Sequence, residues 1–409
     1  MNNTTVKHAH PKLTTITLWV MTVATGLIVA NLYYNQPLLA QIAATFRISE
    51  DKAQLVSMLT QMGYATGMLF IVPLADMKKR KKLMMVDFIF IVMALLLAAF
   101  SPTISVLMAA SFMIGASSTI PQMLVPMTAH LAEPHERGKK VGVVMSGLLI
   151  GILLSRTISG FIGFHFGWRG MFLIAAGLML VIWALLYFML PEVEPQYKGN
   201  YSTLMRSLVT LIREEPKLRL AAVRGALCFA CFGAFWTTLT FLLKQPQFNG
   251  SSQMAGMFGL VGVFGALGAS AMGRISDKMN PHHVITVAVS LVVLSFIVFG
   301  LSSHSFIGLV IGVILLDMGV QSTHISNQIM IFSLRPEARN RLNTVYMVSY
   351  FLGGAFGTYV ASLLWNDYQW TGVCIMGITF SAAALLIHVF SHGIAKDSKK
   401  ILTPTADKV

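Results

Sequence analysis

The chain has 409 residues, of which 55% are hydrophobic and only 11% charged, with a mean hydropathy of +0.70. A soluble domain carries about 25% charged residues, so the composition excludes one and points to a chain built largely inside a lipid bilayer. The net charge of +14 raises nucleic acid as a partner, but its distribution along the chain argues against that and assigns the surplus to topology and lipid contact.

A bilayer core of about 30 Å needs about 20 apolar residues per helix. By that measure the chain divides into a tail at 1–13, six spans within 14–190, a polar link at 191–218, six spans within 219–391, and a tail at 392–409. The first span, 14–38, is too long for a cleaved leader, and no small-x-small site follows it. It carries Asn31, Tyr34 and Asn35, and the second, 53–75, carries Ser57, Gln61 and Tyr64, each set within about 100° of arc. VPLADMKKRKK at 72–82 follows, with Asp76 and Arg80. The third span, 83–101, holds Asp87 one turn inside its end, where it can pair with loops. The fourth, 103–130, aligns Ser111, Gly115, Ser118 and Gln122 on one face. The fifth, 140–164, is entered after Arg137 and carries Arg156 among five glycines, and the sixth is 170–190. In the link, Leu204, Leu208 and Leu211 recur at i, i+4 and i+7 with Arg206 and Arg213 on other faces. That pattern predicts a short amphipathic helix on the inner leaflet, tethering the two halves.

The seventh span, 219–243, contains Arg224, Trp236, Cys228 and Cys231. An apolar helix gives such a CxxC neither an electropositive setting nor further ligands, so these cysteines read as structural. The eighth, 253–274, spaces Gly256, Gly259, Gly262, Gly265 and Gly268 three apart. At about 100° per residue that ladder drifts around the helix and leaves it thin on several sides, where other helices can pack or slide. After the ninth, 283–302, the tenth, 304–331, is the most informative. Asp317, Gln321, His324 and Gln328 are spaced 4, 3 and 4 apart, within about 60° of one another. An ionisable residue at the bilayer centre costs about 2.5–3.5 kcal/mol on the insertion scale, so this stripe faces protein or a water-filled cavity. Asp317 and His324 are groups that could load and unload a proton as access alternates, with Arg156 as counter-charge. The eleventh and twelfth spans are 342–364 and 371–391.

The second set copies the first. Asp76 is answered by Asp277 in GRISDKMNPHH, 201 residues on; Pro134-His-Glu-Arg137 is answered by Pro336-Glu-Ala-Arg339, Gly151 by Gly353 and Trp168 by Trp370, each 202 apart. A duplicated membrane bundle places its substrate site between the copies and works by rocking them. The same offset maps Asp317 to Gly115 and His324 to Gln122, so the ionisable groups belong to the second half. Alternate loops, with both tails, hold 24 Lys and Arg; the other loops hold Arg47, Lys52, Arg169 and Lys244. That bias predicts cytoplasmic termini. The expected cavity is lined by Asn31, Tyr34, Asn35, Gln61, Tyr64, Ser118, Gln122, Trp236, Gln321 and Gln328, a mixture of aromatics and sparse polar anchors that suits an organic solute of mixed polarity.

With these residues the chain resembles the major facilitator superfamily over about 14–391. The family's loop motif, G-x-L-a-D-R-x-G-R-R/K, is matched by Leu74, Ala75, Asp76, Arg80 and Lys81, while Val72, Met77 and Lys79 depart from it; the later copy keeps Gly273, Asp277 and Lys278. The resemblance implies an all-α membrane fold of twelve transmembrane helices in two pseudo-symmetric six-helix bundles. It implies a gating role for Asp76 and Asp277, with Arg80, Arg137 and Arg339 beside them. NLYYNQPLL and the GWR at 167–169 look like bacterial efflux permeases of the drug and sugar type. Two motifs differ: Ser111 stands where such antiporters often carry Arg, and LLSRTISG replaces a G-P-x-x-G-G, so that Arg156 could supply the displaced charge. The expectation is a monomeric secondary transporter of the bacterial inner membrane, exporting a small organic or amphipathic compound against proton entry. The alternative is solute–proton symport. Partners are the small-molecule substrate, protons and the lipid bilayer; no nucleic acid, cofactor, metal or enzymatic activity is expected. There is no G-x-x-x-x-G-K-S/T for ATP, and no nucleophile or metal-ligand set accompanies Asp317 and His324. A passive facilitator would differ in ignoring the proton gradient. The first span lacks a carboxylate, which disfavours a dedicated exporter of cations.

Overall fold

A computed structural model describes residues 13–193, 199–276, 281–335 and 338–401, and among them every regular element is a helix. In chain order these are α1 (Thr15–Ala30), a 3₁₀ turn at Gln36–Leu38, α2 (Leu39–Phe46), α3 (Glu50–Phe70), α4 (Leu74–Met77), α5 (Arg80–Ala99), α6 (Ile104–Ser117) and α7 (Pro121–Leu131). Then follow α8 (Arg137–Met189), α9 (Tyr201–Glu214), α10 (Pro216–Lys244), α11 (Ser252–Ser276), α12 (Pro281–Leu301), α13 (Phe306–Phe332) and α14 (Arg339–Ile401).

Eight helical stretches are long and apolar enough to cross a bilayer, and two of them, Arg137–Met189 and Arg339–Ser391, run to 53 residues. Each of these two breaks near its middle, at Gly167 (φ 72°) and at Gln369 (φ 50°). Counting both parts, and adding the shorter apolar helices Thr15–Ala30 and Ser252–Gly265, recovers the twelve crossings expected from the sequence.

Two first-half spans are discontinuous, and proline explains both. Pro37 has no N–H, and its ring would clash with the carbonyl of Tyr33 in a continuous helix. The chain leaves the α-helix after Ala30, turns through 31–35 and resumes in the 3₁₀ segment and α2. The fourth span likewise ends at Ser117 and restarts at Pro121, which sits in the first turn of α7. The corresponding second-half helices, α10 and α13, run unbroken for 29 and 27 residues.

The internal repeat is visible in packing. A Cβ on Gly151 would strike the backbone of Gly26 in α1, and one on Gly353 would strike that of Ala226 in α10. Small residues therefore let the fifth span close on the first, and the eleventh on the seventh, by the same surface. Two seams join the halves: α3 against the first part of α14, and the first part of α8 against α11.

The link helix α9 buries Leu204, Leu208 and Leu211 as its spacing predicts, but against protein. Leu204 and Leu208 help form the wall of a cavity between the halves. Beyond the end of α9, Arg335 bonds Glu215 at 2.6 Å and Glu214 at 2.9 Å, and these bonds raise the Arg335 pKa. Tyr201 donates to the carbonyl of Phe70 at 3.0 Å. The link is thus fastened to both halves.

Candidate functional site

One large cavity of about 690 Å³ lies between the two bundles. Helix direction shows which end it reaches. α3 runs from Glu50 to Phe70, and α14 starts at Arg339 and passes Trp365 before its break. Asp76, Arg80, Arg339 and Arg341 line the cavity, so it reaches the end of the molecule that bears the basic loops. At the opposite end the halves are bonded together: Trp365 Nε1 donates to Glu50 Oε2 at 2.7 Å, Gln41 donates to Ser252 Oγ at 2.9 Å and Thr240 donates to the carbonyl of Pro37 at 3.3 Å. Midway, Gln61 donates to Thr358 at 3.2 Å, and Thr157 to the carbonyl of Gly256 at 2.9 Å. The conformation is closed at one end and open at the other.

The predicted residues fall into three places. Tyr64, Gln122, Gln321, His324 and Gln328 line the cavity. Gln122 donates to Tyr64 at 3.1 Å, Gln328 donates to Asn343 at 3.3 Å, and His324 Nδ1 meets the Tyr346 hydroxyl at 3.0 Å. Asn31, Tyr34, Asn35, Gln61 and Ser118 are buried in helix packing. Asn35 donates to Thr60 at 2.9 Å and accepts from Ser57 at 2.5 Å, while Asn31 donates to the carbonyl of Ile28 at 3.1 Å and Ser118 to that of Ile114 at 2.6 Å. These amides and hydroxyls hold the broken stretches of the first and fourth spans, where backbone groups lose their helical partners.

The third place lies behind the inner wall of the cavity. Arg156, 2% exposed, donates from Nε to Gln36 Oε1 at 2.7 Å. Its guanidinium lies 4.1 Å from the ring centroid of Trp236, 4.7 Å from Tyr33 and 5.2 Å from Phe232. Its Nη2 is buried without a hydrogen-bond partner. Asp317 is also buried, packed on Gly262 and Gly265 with Trp236 alongside. Asp317 and Arg156 interact electrostatically without closing into an ion pair. The four-residue stripe of α13 is therefore divided, with Gln321, His324 and Gln328 on the cavity wall and Asp317 beyond it. The glycine ladder is divided too: Gly256 and Gly259 meet α8, while Gly262, Gly265 and Gly268 meet α13.

At the open end Asp76 pairs with Arg80 of its own half at 3.3 Å, and Arg341 of the other half acts on it electrostatically. Arg339 donates to the carbonyl of Phe332 at 3.1 Å, and Arg137 is exposed at the start of α8. Asp277, with the Pro336-Glu337 part of the repeat, lies outside the described residues. Asp87 is buried beside Ser117 and Thr119, at the break in the fourth span.

Sequence reasoning missed several neighbours. Gln36 and Tyr33 flank Arg156, and both sit in the NLYYNQPLL segment around Pro37, where the first span breaks. A second network is formed by Arg224, bonded through Nε and Nη2 to Asn327 and through Nη1 to His388 Nδ1 at 2.7 Å. Asn327 reaches the Tyr346 hydroxyl at 3.4 Å and so connects to His324. Asn327 lies one residue off the stripe, where helical periodicity gave no reason to select it.

Two helix bundles around a cavity open at one end define a membrane transporter. The Major Facilitator Superfamily model matches residues 19–358, and the chain belongs to that family. Transporter YgaY of Escherichia coli O157:H7 is 40% identical over 367 residues, covering 90% of this chain and 93% of that protein. SCO4007 of Streptomyces coelicolor, named as a probable transporter, is 31% identical over 351 residues, covering 86% and 81%. A sugar efflux transporter of Helicobacter acinonychis, named as probable, is 22% identical over 386 residues, covering 93% and 95%. Among solved structures, the nucleoside transporter NupG is similar with a TM-score of 0.74 at 15% identity, covering 91% of this chain and 99% of that one. A bacterial homologue of the human lysosomal transporter Spinster, inward-facing and unoccupied, gives 0.66 at 14%, covering 91% and 94%. These relatives are named as transporters, not as enzymes.

Proposed function

We propose that the protein is a proton-coupled secondary transporter of the bacterial inner membrane that exports a small organic or amphipathic compound by alternating access. Both termini lie in the cytoplasm, supported by the 24 basic residues on one set of loops and tails. The described conformation is then open to the cytoplasm. The bundles 14–190 and 219–391 are the moving bodies of a monomer, and the link 191–218 joins them. Solute enters the cavity along Tyr64, Gln122, Gln321, His324 and Gln328. Asp317 carries the proton, and Arg156, from the other half, senses whether that carboxylate is charged. The observation that carries the reading is this pair: a guanidinium on α8 and a carboxylate on α13, each buried beside α11 and acting on each other electrostatically. Such groups are retained inside a membrane for function. The name of the Helicobacter relative supports export.

A second reading, uptake together with a proton, is favoured by the same pair. Protonating Asp317 removes the charge that attracts Arg156 and releases the guanidinium for a solute anion. The test is reconstitution into liposomes containing a pH-sensitive dye. Export by exchange moves protons opposite to solute, uptake by symport moves them together, and a passive facilitator moves none. Asp317→Asn is expected to abolish gradient-driven accumulation while sparing solute exchange. Full proton-driven transport by Asp317→Asn would overturn the assignment.

A further inference from the structure

The space behind the cavity wall has properties that proton coupling does not require. Arg156 has three cation–π partners and hydrogen bonds through Nε and Nη1, yet Nη2 is buried with nothing to donate to. An unsatisfied buried donor costs about 1–3 kcal/mol, more when charged, so a helix seam would not retain it without a use. Two of the aromatic rings over the guanidinium, Tyr33 and Phe232, also line the large cavity, as does Ile152, whose carbonyl accepts from Arg156 Nη1 at 3.4 Å. The guanidinium therefore lies directly behind the inner wall, one helical turn deeper than Ile152. The tight crevice beside it is lined by Gln36, Pro37, Trp236, Leu239, Thr240 and Ala255, none of them acidic, and Asp317, which acts on the guanidinium electrostatically, makes no hydrogen bond to Nη2.

The rest of the cavity agrees in sign. Its basic lining groups are Arg80, Arg339 and Arg341, and its acidic one is Asp76, already paired with Arg80. The remaining wall is mostly aromatic and aliphatic, with amides spaced along it. A cavity with a surplus of guanidinium and no free carboxylate attracts anions and disfavours cations. A guanidinium fork with an open nitrogen matches a carboxylate, and the apolar wall takes the body attached to it.

We propose that Arg156 is the anion subsite of the transport cavity and that the solute is an amphipathic organic acid. Its carboxylate accepts from Arg156 Nη2, and its apolar or aromatic body packs against Tyr33, Phe232 and Trp236. The rings of Tyr33 and Phe232 must part to admit the head group, so occupancy is felt where Arg156 of α8 meets Phe232 and Trp236 of α10, beside the seam of α8 with α11. This assignment rests on the transporter reading and holds for either direction of transport.

The test uses the full-length protein in lipid nanodiscs with three probes of one shape: 4-phenylbutyrate, 4-phenylbutanol and 4-phenylbutylamine. The carboxylate is expected to bind about tenfold or more tighter than the alcohol or the amine, the gain of one charge-assisted contact. Arg156→Lys keeps the order of preference, and Arg156→Gln erases it. Should Arg156→Gln fail to fold, 5-fluorotryptophan in the unaltered sequence serves instead: the ¹⁹F resonance of Trp236, assigned by loss in Trp236→Phe, shifts with the carboxylate and not with the alcohol. Equal binding of the three probes, a preference that survives Arg156→Gln, or a Trp236 resonance indifferent to the carboxylate would each overturn the proposal. Its failure is separable from failure of the transporter reading. A proton-coupled flux of some other solute that depends on Asp317 would leave the transporter standing and remove only the organic acid.

Discussion

The Trp236 ring centroid lies 4.1 Å from the Arg156 guanidinium, and the two residues come from opposite halves of the molecule. The contact is buried, with Trp236 3% and Arg156 2% exposed. A desolvated cation–π contact contributes about 2 kcal/mol, so Trp236→Leu should lower stability by about that amount while Trp236→Tyr retains most of it. Thermal unfolding in detergent measures the difference. Equal loss in the two variants would mean that ring volume matters and the cation does not.

The closed end depends on a second contact between halves. Trp365 Nε1 donates to Glu50 Oε2 at 2.7 Å, joining the start of α3 to the first part of α14. A hydrogen bond to a charged group contributes about 1.5–3 kcal/mol, less where water reaches it. Glu50→Ala should therefore favour opening at this end by about 1–2 kcal/mol, a factor of about 5–30 in population. Spin labels at positions 52 and 367, on exposed residues beside the contact, report the separation. An unchanged distance distribution would remove the contact from the gate.

Gly167 and Gln369 are equivalent in the repeat, each just before a buried tryptophan, and each has positive φ. Glycine adopts this conformation freely, whereas glutamine at φ 50°, ψ −141° lies in a region almost reserved for glycine. Gln369→Gly should stabilise the protein by about 1–3 kcal/mol, and Gly167→Gln should destabilise it by a similar amount. The check is the pair of melting shifts, which must have opposite signs.

How much of this was legible beforehand follows from what periodicity can report. Twelve spans, their division into two sets and the 202-residue repeat follow from apolar length and recurring anchors, and the Trp168–Trp370 pair reappears as matched helix breaks. The prolines at 37 and 121 were visible in the sequence, but two apolar runs long enough to span concealed the breaks they cause. The polar face of the tenth span was readable at about 100° per residue, yet that angle says nothing about depth. In the structure α11, thinned at Gly262 and Gly265, packs on Asp317, which lies outside the cavity that His324 lines. Asn31 and Asn35 looked like solute ligands because they are polar and inside the membrane. In the structure they hydrogen-bond around a broken helix, a demand that one helix considered alone does not reveal.

The open end gives the last prediction. Asp76 bonds Arg80 within its own half at 3.3 Å, while Arg341, from the start of α14, acts on it from across the cavity mouth. In the proposed alternating-access cycle, closing this end would bring the two halves together and give Asp76 a nearer partner in Arg341. Its charge would then stabilise the closed mouth more than the open one, as a gate residue must, since only a difference between states shifts a population. Asp76→Asn keeps the size of the side chain and removes that difference. With about 1–2 kcal/mol at stake in a half-exposed setting, the mouth-closed state should lose a factor of about 5–30 in population. Transport should slow while solute binding to the mouth-open state is nearly unchanged. Arg341→Gln should reproduce the effect, and combining the two substitutions should add little, because each removes the same interaction. Additive losses in the double variant, measured as mouth closure by spin-label distances between positions 78 and 340, would show that Asp76 and Arg341 act separately.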